Sequence, residues 1–438
     1  MTSFSTDRAV LRVEQLTLAN GMRVIMQPDP CVPLVAAHLA YVAGSGREPP
    51  HLCGLAHVCE HVSSLAPPGV SARSYPELIE GVGGLTNGST SHELISFSAL
   101  LPAHQLTLGL RVEASRMSRP LAGLTPSGLD AQRGVVLQEY QQRVGNRPYG
   151  RGFELVQKLL YPPTHPYHWP PGGLPDCIAA VSTSDVEAYF GGNFKPERAV
   201  LVLVGDFSPG AVTAEVARHF GDIPAGDRRA NDGQSNPDAQ QRGNLPPIEG
   251  GRREAEADRV PSARVHLSCR APGYGEASWY AAALLFRSLA VGRTSPLQQK
   301  LVHERGVARE VKAQLVTMRD ASTGAFVATA APGVGRLELE EALVAALDEL
   351  LDGRFPEAAL RRAQKKALTD HYSLIRRPER RAEFIASSAI FCGDPARVAV
   401  EDECYRRVTP AEVSEFGEVI RREENRVVLS LVPEGDAG

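Results

Sequence analysis

The chain has 438 residues, too many for one hydrophobic core, so two or more domains are expected. Its 43% hydrophobic and 22% charged residues are ordinary for a folded globular protein. A net charge of −4 gives no electrostatic reason to expect nucleic acid or an anionic membrane as partner, and no apolar run is long enough to span a bilayer.

Met1 to Gln15 mixes charged and apolar residues without the long apolar core of a secretory leader, so a cytoplasmic protein is expected. Seven scattered cysteines, an odd number, argue against a disulfide framework. The alternating segments Arg12–Leu18 and Met22–Gln27 flank Asn20-Gly21, a hairpin signal, and Leu34–Val42 reads as a buried strand.

A short helix follows, led in by Gly54-Leu55-Ala56, and it carries His57-Val58-Cys59-Glu60-His61. Histidines at i and i+4 leave a helix on one face and can reach a single ion. Glu60, three residues after His57, shares that face, where a carboxylate can take a proton from a metal-activated water without itself binding the metal. The order is HxxEH, the inverse of the commoner HExxH. Two imidazoles do not complete a catalytic zinc site, which takes three protein ligands and leaves one position open. Cys53 and Cys59 flank the motif. Cys59 points to the opposite side of the helix and Cys53 precedes it, so buried free thiols are expected at both, with a thiolate ligand as the alternative.

Gly83 to Ser91 is rich in small residues but lacks the GxxxxGK context of a phosphate loop, so nucleotide binding is not expected. Small residues there permit close approach of another backbone. Thr125–Val144 reads as a helix, opened by Thr125-Pro126 and stopped by Gly145-Asn146. It sets Glu139 beside an apolar stripe, but spacing alone does not choose Glu139 over Glu93 or Glu154 as a third ligand. His165-Pro166-Tyr167-His168-Trp169, followed by Pro170 and Pro171, reads as a rigid packing loop rather than a second metal site.

From about Gly221 to Asp258 the composition turns polar and rich in Gly, Pro and Arg, which marks an exposed linker between domains at residues 1–220 and 259–438. In the second half Ala263–Arg270, Val311–Val316 and Gly324–Ala331 read as strands, and Ala277–Leu289 and Leu337–Leu351 as helices. Strands interleave with helices on both sides of the linker, which points to two related α+β domains of slight sequence identity. The basic run Arg361–Arg381 reads as a solvated helix face.

GLAHVCEH, GGLTNGSTSHE, RGVVLQEY, HPYHWPPGG and ERAVLVLVGDF follow one another in the order seen in the M16 family of zinc peptidases. That family includes pitrilysin, insulin-degrading enzyme and the mitochondrial processing peptidase. The chain resembles it over about residues 12–220, and more weakly through SPLQQKLVHERGVAREV; its size and two-half layout look like the smaller bacterial M16B members. The resemblance implies two related α/β-roll domains, each an antiparallel-rich sheet packed by helices, joined by the polar linker in a clamshell. It implies Zn2+ held by His57, His61 and Glu139, with Glu60 as general base. It also implies a peptide substrate that adds to an edge strand led by residues 83–91, with Thr86 and Asn87 as contacts.

Two departures stand out. The family usually has a glutamate seven residues before the third ligand, where this chain has Gln132, so a supporting carboxylate is missing. The family's RGLAY segment, whose Arg–Tyr pair holds substrate, reads Arg305-Gly306-Val307-Ala308-Arg309 here, keeping Arg305 as a substrate contact and losing the tyrosine. Some M16B enzymes divide the zinc motif and the Arg–Tyr pair between two subunits. The resemblance therefore implies the zinc-bearing subunit of a heterodimer, with a homodimer as the alternative. The expected activity is zinc-dependent endopeptidase cleavage of peptides or unfolded precursor segments, such as leader removal. The alternative is a non-catalytic structural or peptide-binding subunit of an M16-like assembly.

Overall fold

The computed structural model describes residues 12–65, 73–121, 123–226, 245, 248 and 251–435. Most of the expected linker, and all but the end of the Met1 to Gln15 segment, lie outside the described residues. The first half builds a six-stranded sheet from β1 (Glu14–Thr17), β2 (Arg23–Pro28), β3 (Leu34–Tyr41), β4 (Leu85–Thr90), β5 (Ile95–Pro102) and β6 (Ala199–Gly205), in the order β1-β2-β6-β3-β5-β4. The second half builds five strands: β7 (Arg253–Asp258), β8 (Arg264–Pro272), β9 (Ala308–Val316), β10 (Ala321–Ala330) and β11 (Arg426–Pro433), ordered β7-β11-β8-β10-β9. Residues 253–258, read from the sequence as the end of the linker, thus form a strand. β7 is an edge strand of alternating charge, REAEAD, whose composition hides its pairing with β11.

The two sheets share one plan. β2 pairs parallel with β6, and β6-β3-β5-β4 continue antiparallel. β7 pairs parallel with β11, and β11-β8-β10-β9 continue antiparallel. Removing β1 makes the two sheets superimpose in order and sense, so the duplication expected from layout is a property of the topology. β4 and β9 are the matching free edges.

The helices of the first half are α1 (Leu55–Val62), α2 (Tyr75–Glu80), α3 (Leu106–Ser118), α4 (Pro126–Tyr140), α5 (Gly152–Leu160), α6 (Pro175–Ala180), α7 (Thr183–Asn193) and α8 (Pro209–Phe220). Those of the second are α9 (Ala277–Ala290), α10 (Arg336–Leu351), α11 (Glu357–Ile375), α12 (Pro378–Phe391), α13 (Glu401–Arg407) and α14 (Pro410–Arg421). One face of the first sheet, with Val24, Leu39, Tyr41, Phe97 and Leu201, packs on α1, α3, α7 and α8. The matching face of the second packs on α9, α10, α11 and α14.

The other faces are covered by exchange. α12, from the second half, lays Ala382, Ile385, Ala386 and Ala389 on Ile25, Ala36, Ala40, Val200, Val202 and Val204 of the first sheet. α5, from the first half, lays Leu155, Val156 and Leu159 against Val427, Leu429 and Leu431 of the second. Strands buried on both faces must be apolar at nearly every position, and β6 (AVLVLVG) is buried throughout. Each half therefore completes its core with a helix of the other. Among the described residues no helix is long and apolar enough to cross a membrane.

Candidate metal centre

α1 packs its apolar residues, Leu55, Ala56, Val58, Cys59 and Val62, into the first core and turns His57, Glu60 and His61 toward α4 and β4. α4 starts as read, with the Thr125 side chain capping the Gly128 N–H and Pro126 at its first turn. It extends through a π-helical turn at residues 141–145, which accounts for the reading of a single helix to Val144. Leu129 and Val136 bury one side of α4, and Glu139, half-buried, reaches α1.

There the two elements meet. Glu139 Oε1 lies 3.5 Å from His61 Nε2 and Glu139 Oε2 lies 3.8 Å from His57 Nε2. The imidazole rings stand nearly edge-on, 4.9 Å between centroids. Ligand atoms of His57, His61 and Glu139 all lie within 4.8 Å of one another. Ligands at ~2.0–2.1 Å from a tetrahedral zinc stand about 3.3 Å apart, so a small contraction seats the ion. Glu139 Oε2 has Arg143 Nη2 at 3.0 Å as an ion-pair partner but is buried without a hydrogen bond of good geometry. Burial, then His61, push the His57 pKa down to about 4, against the opposing pull of Glu139; burial likewise lowers His61. Neutral imidazoles and a carboxylate are the protonation states a zinc ion takes as ligands. The donor set fits the metal.

Glu60 stands on the same helix face, and among the described residues it is not one of that ligand group. It accepts a 2.8 Å hydrogen bond from Thr90 Oγ1 through Oε2. Burial first, then the charge of Glu139, raise its pKa to about 7, while the Thr90 bond and Arg116 oppose the shift. A carboxyl poised near neutrality suits proton transfer in both directions. The Glu60 Oε1 atom lies where a side chain at Gly88 of β4 would begin, so any Cβ there would displace the Glu60 carboxylate.

Other candidates fall differently. Thr86 sits on β4 and donates to the Ser98 carbonyl at 3.0 Å, on the face that Gly88 and Thr90 share. Asn87 is exposed and points, by strand alternation, to the opposite face of the edge from Glu60. Gln132 is half-buried on α4, with no described hydrogen bond to the cluster. Arg305 is exposed just before β9, with Glu349 of α10 as a neighbour and no described contact with the cluster; Arg309 is exposed on β9 itself.

The rival carboxylates are engaged elsewhere. Glu93 accepts from Tyr167 Oη and from the Arg319 N–H at 3.2 Å, and Glu154 pairs with Lys158 at 3.0 Å. Cys53 and Cys59 are buried free thiols outside the ligand group. His165 Nδ1 accepts from the Tyr167 N–H at 3.1 Å and His168 Nδ1 donates to the Tyr161 carbonyl at 2.7 Å, so that loop uses its imidazoles in packing. Along the basic run, Arg361 pairs with Glu357 and Arg377 with Glu379 on the surface, whereas Arg381, nearly buried, reaches Asp29 beyond β2. Sequence reasoning missed Gly88 and Thr90 as neighbours of Glu60, and Arg143 beside Glu139. Only Arg143, at i+4 from Glu139, carried a local signal.

A two-sheet fold with helices exchanged between its halves, and a His-His-Glu cluster that among the described residues lies in one half only, is an M16-type peptidase architecture. Residues 23–156 match the profile described as "Insulinase (Peptidase family M16)" and residues 180–367 the one described as "Peptidase M16 inactive domain". The chain belongs to peptidase family M16. It is 26% identical over 348 residues to "Zinc protease PqqE" of Helicobacter pylori (strain ATCC 700392 / 26695), covering 79% of this chain and 76% of that protein. Its fold matches a solved protease from Helicobacter pylori with a TM-score of 0.87 at 22% identity, over 96% of this chain and 100% of the other. It also matches a peptidase M16 inactive domain from Pseudomonas fluorescens with a TM-score of 0.81 at 14% identity, over 97% and 98%. In the second half α9 occupies the place of α1, and its sequence ASWYAAALLFRSLA carries no histidine or acid.

Proposed function

We propose that this chain is a zinc-dependent endopeptidase that hydrolyses peptides or unfolded precursor segments. The observation that carries the reading is the convergence of His57, His61 and Glu139 with Glu60 held beside them on one helix. His57, His61 and Glu139 would hold the ion. A zinc ion bound there supplies Lewis acidity, which lowers the pKa of a coordinated water and polarises a peptide carbonyl. The chain's own residues do the rest. The free edge of β4 pairs with an extended substrate and presents its scissile bond at the Glu60 end of the strand. Glu60 takes the proton of the attacking water and passes it to the leaving nitrogen, and the second proton follows the same way, so one water and one peptide bond become a carboxylate and a protonated amine. Thr90 keeps the Glu60 carboxylate directed to that position, and Gly88 leaves it room.

A finer part of the proposal concerns the partner. Arg305 and Arg309 are both exposed at the second edge strand, and Arg309 stands where the family's substrate-holding tyrosine belongs. We read the chain as the zinc-bearing subunit of a heterodimer whose other subunit supplies the Arg–Tyr pair. A reducing, cytoplasmic location suits its seven free cysteines. The test is hydrolysis of an internally quenched peptide by the purified chain, with zinc content measured on the same sample, alone and with a candidate M16-like partner. Hydrolysis that needs the partner and stops with Glu60→Gln supports the whole reading. Full turnover by the chain alone removes the heterodimer. Zinc bound without hydrolysis under either condition favours the peptide-binding subunit instead.

A further inference from the structure

α1 is only eight residues long, too short to be stable by itself. Its N-cap is Gly54, which has no side chain to receive the first free N–H groups, and its first turn contains no acid. Yet this helix must hold two imidazoles and a carboxylate to about 0.5 Å of their working positions relative to Glu139 on another helix.

Both ends are gripped by side chains from elsewhere, the half-buried Glu48 and the buried Arg116. At the N-terminal end, Glu48 Oε2 accepts the Gly54 N–H at 2.9 Å and Oε1 accepts the Ala56 N–H at 2.5 Å. At the C-terminal end, Arg116 of α3, 3% exposed, donates from Nη1 to the Ser63 carbonyl at 2.8 Å and to Ser63 Oγ at 3.2 Å. The Ser63 hydroxyl in turn donates to the Glu60 carbonyl at 2.8 Å, and that of Ser64 to the same carbonyl at 3.2 Å. The Arg116 guanidinium lies between the rings of Tyr75 and Phe97, 3.5 and 3.7 Å from their centroids, and pairs with Glu113 at 3.2 Å. Burial pushes the Glu48 pKa up to about 8, against the pull of the Gly54 and Ala56 N–H groups, so its hold on the N-terminal end rests on those two hydrogen bonds, while the Arg116 guanidinium sits at the negative end of the helix dipole. Gly54, at φ 105°, and Gly173, at φ 79°, meet backbone to backbone, so a Cβ on Gly54 would lie 2.9 Å from the Gly173 Cα. That contact closes the N-terminal end against the loop before α6.

Withdrawing such groups from water is costly, most of all for the fully enclosed Arg116. The helix they bracket is the one that carries the ligands. We infer that Glu48 and Arg116 are positioning residues of the metal centre, an opposed pair that fixes the height and rotation of α1 and so the placing of His57, Glu60 and His61 against Glu139. Neither touches the metal, the substrate or the reacting atoms. The inference rests on the proposed zinc site and adds the devices that set its geometry.

The experiment uses the full chain loaded with Co2+, whose visible absorption reports coordination geometry, together with zinc affinity by chelator competition and amide exchange of residues 54–63. Glu48→Gln keeps the shape and one acceptor; Glu48→Ala keeps neither. Arg116→Lys keeps the charge but loses the planar fork. Expected are a changed cobalt spectrum, zinc affinity weakened about tenfold or more, and faster exchange confined to residues 54–63, with Gln milder than Ala. In peptide hydrolysis kcat should fall more than KM rises. Should Glu48→Ala fail to fold, Glu48→Gln and Arg116→Lys carry the test. Folded variants with the wild-type cobalt spectrum and zinc affinity within twofold overturn the inference while leaving the zinc site intact. A wild-type chain that takes up neither metal overturns the proposed function itself.

Discussion

The environment of Glu60 is set by three contacts that differ in kind. Burial beside Glu139 raises its proton affinity, Thr90 aims one of its oxygens, and the bare backbone of Gly88 gives the other its place. Removing the ionisable group should separate binding from chemistry. Glu60→Gln is expected to retain zinc at wild-type stoichiometry while peptide hydrolysis falls at least about 100-fold. Zinc analysis and kcat on one preparation check this, and a variant with near-normal turnover would rule Glu60 out as the base. Gly88→Ala probes position rather than chemistry. The added methyl must displace the Glu60 carboxylate, so kcat should drop roughly 100-fold with zinc still bound, because an error of about 1 Å at a reacting group costs that much. An unchanged kcat would mean that Glu60 works from another rotamer.

At the level of elements, the exchanged helices cover two buried histidines. His38 of β3 faces the side of the first sheet that α12 covers, and His266 of β8 faces Gly152 of α5. Burial, followed in each case by a nearby arginine (Arg380 for His38, Arg264 for His266), pushes each pKa down to about 4. In the unfolded chain an imidazole takes its proton near 6.5, so the unfolded state binds more protons between those values. Stability is therefore complete above about pH 6.5 and is lost as pH falls toward 4, by on the order of 3 kcal/mol per ring. Urea unfolding midpoints from pH 7 to pH 4 should decline, and less steeply in His38→Leu than in the wild type. Identical slopes for the two proteins would show that His38 does not couple folding to protons.

For the whole molecule, the exchange makes each half a part of the other's core. Ala386 is fully buried where α12 lies on the first sheet, and Leu429 is fully buried where α5 lies on the second. A domain that loses such a helix exposes one entire sheet face, at about 25 cal/mol for each Å² of apolar surface. The halves should therefore melt together. Calorimetry is expected to give one transition, and Ala386→Glu, which buries a charge under α12, should lower that single transition by more than about 3 kcal/mol of stability. Two resolved transitions, only one of them shifted by the substitution, would mean that the halves fold independently.

Much of this is legible in the sequence alone. HxxEH is a local device: five residues of helix put two imidazoles and a carboxylate on one face, so that half of the candidate cluster is legible in the sequence alone. Strand and helix patterns likewise announced two related halves, since a period of 2 or 3.6 is a property of the segment itself. What lay beyond reach depended on distance along the chain. Glu139 could not be told from Glu93 or Glu154 by spacing, because all three were plausible until Tyr167 and Lys158 were seen to occupy the other two. The charged strand β7 looked like linker because its partner, β11, lies some 170 residues further on. Glu48, Arg116 and Gly88 looked unremarkable for the same reason. Their roles come from which segment each one meets, and only the folded core, by packing α1 between β4, α3 and α4, decides that.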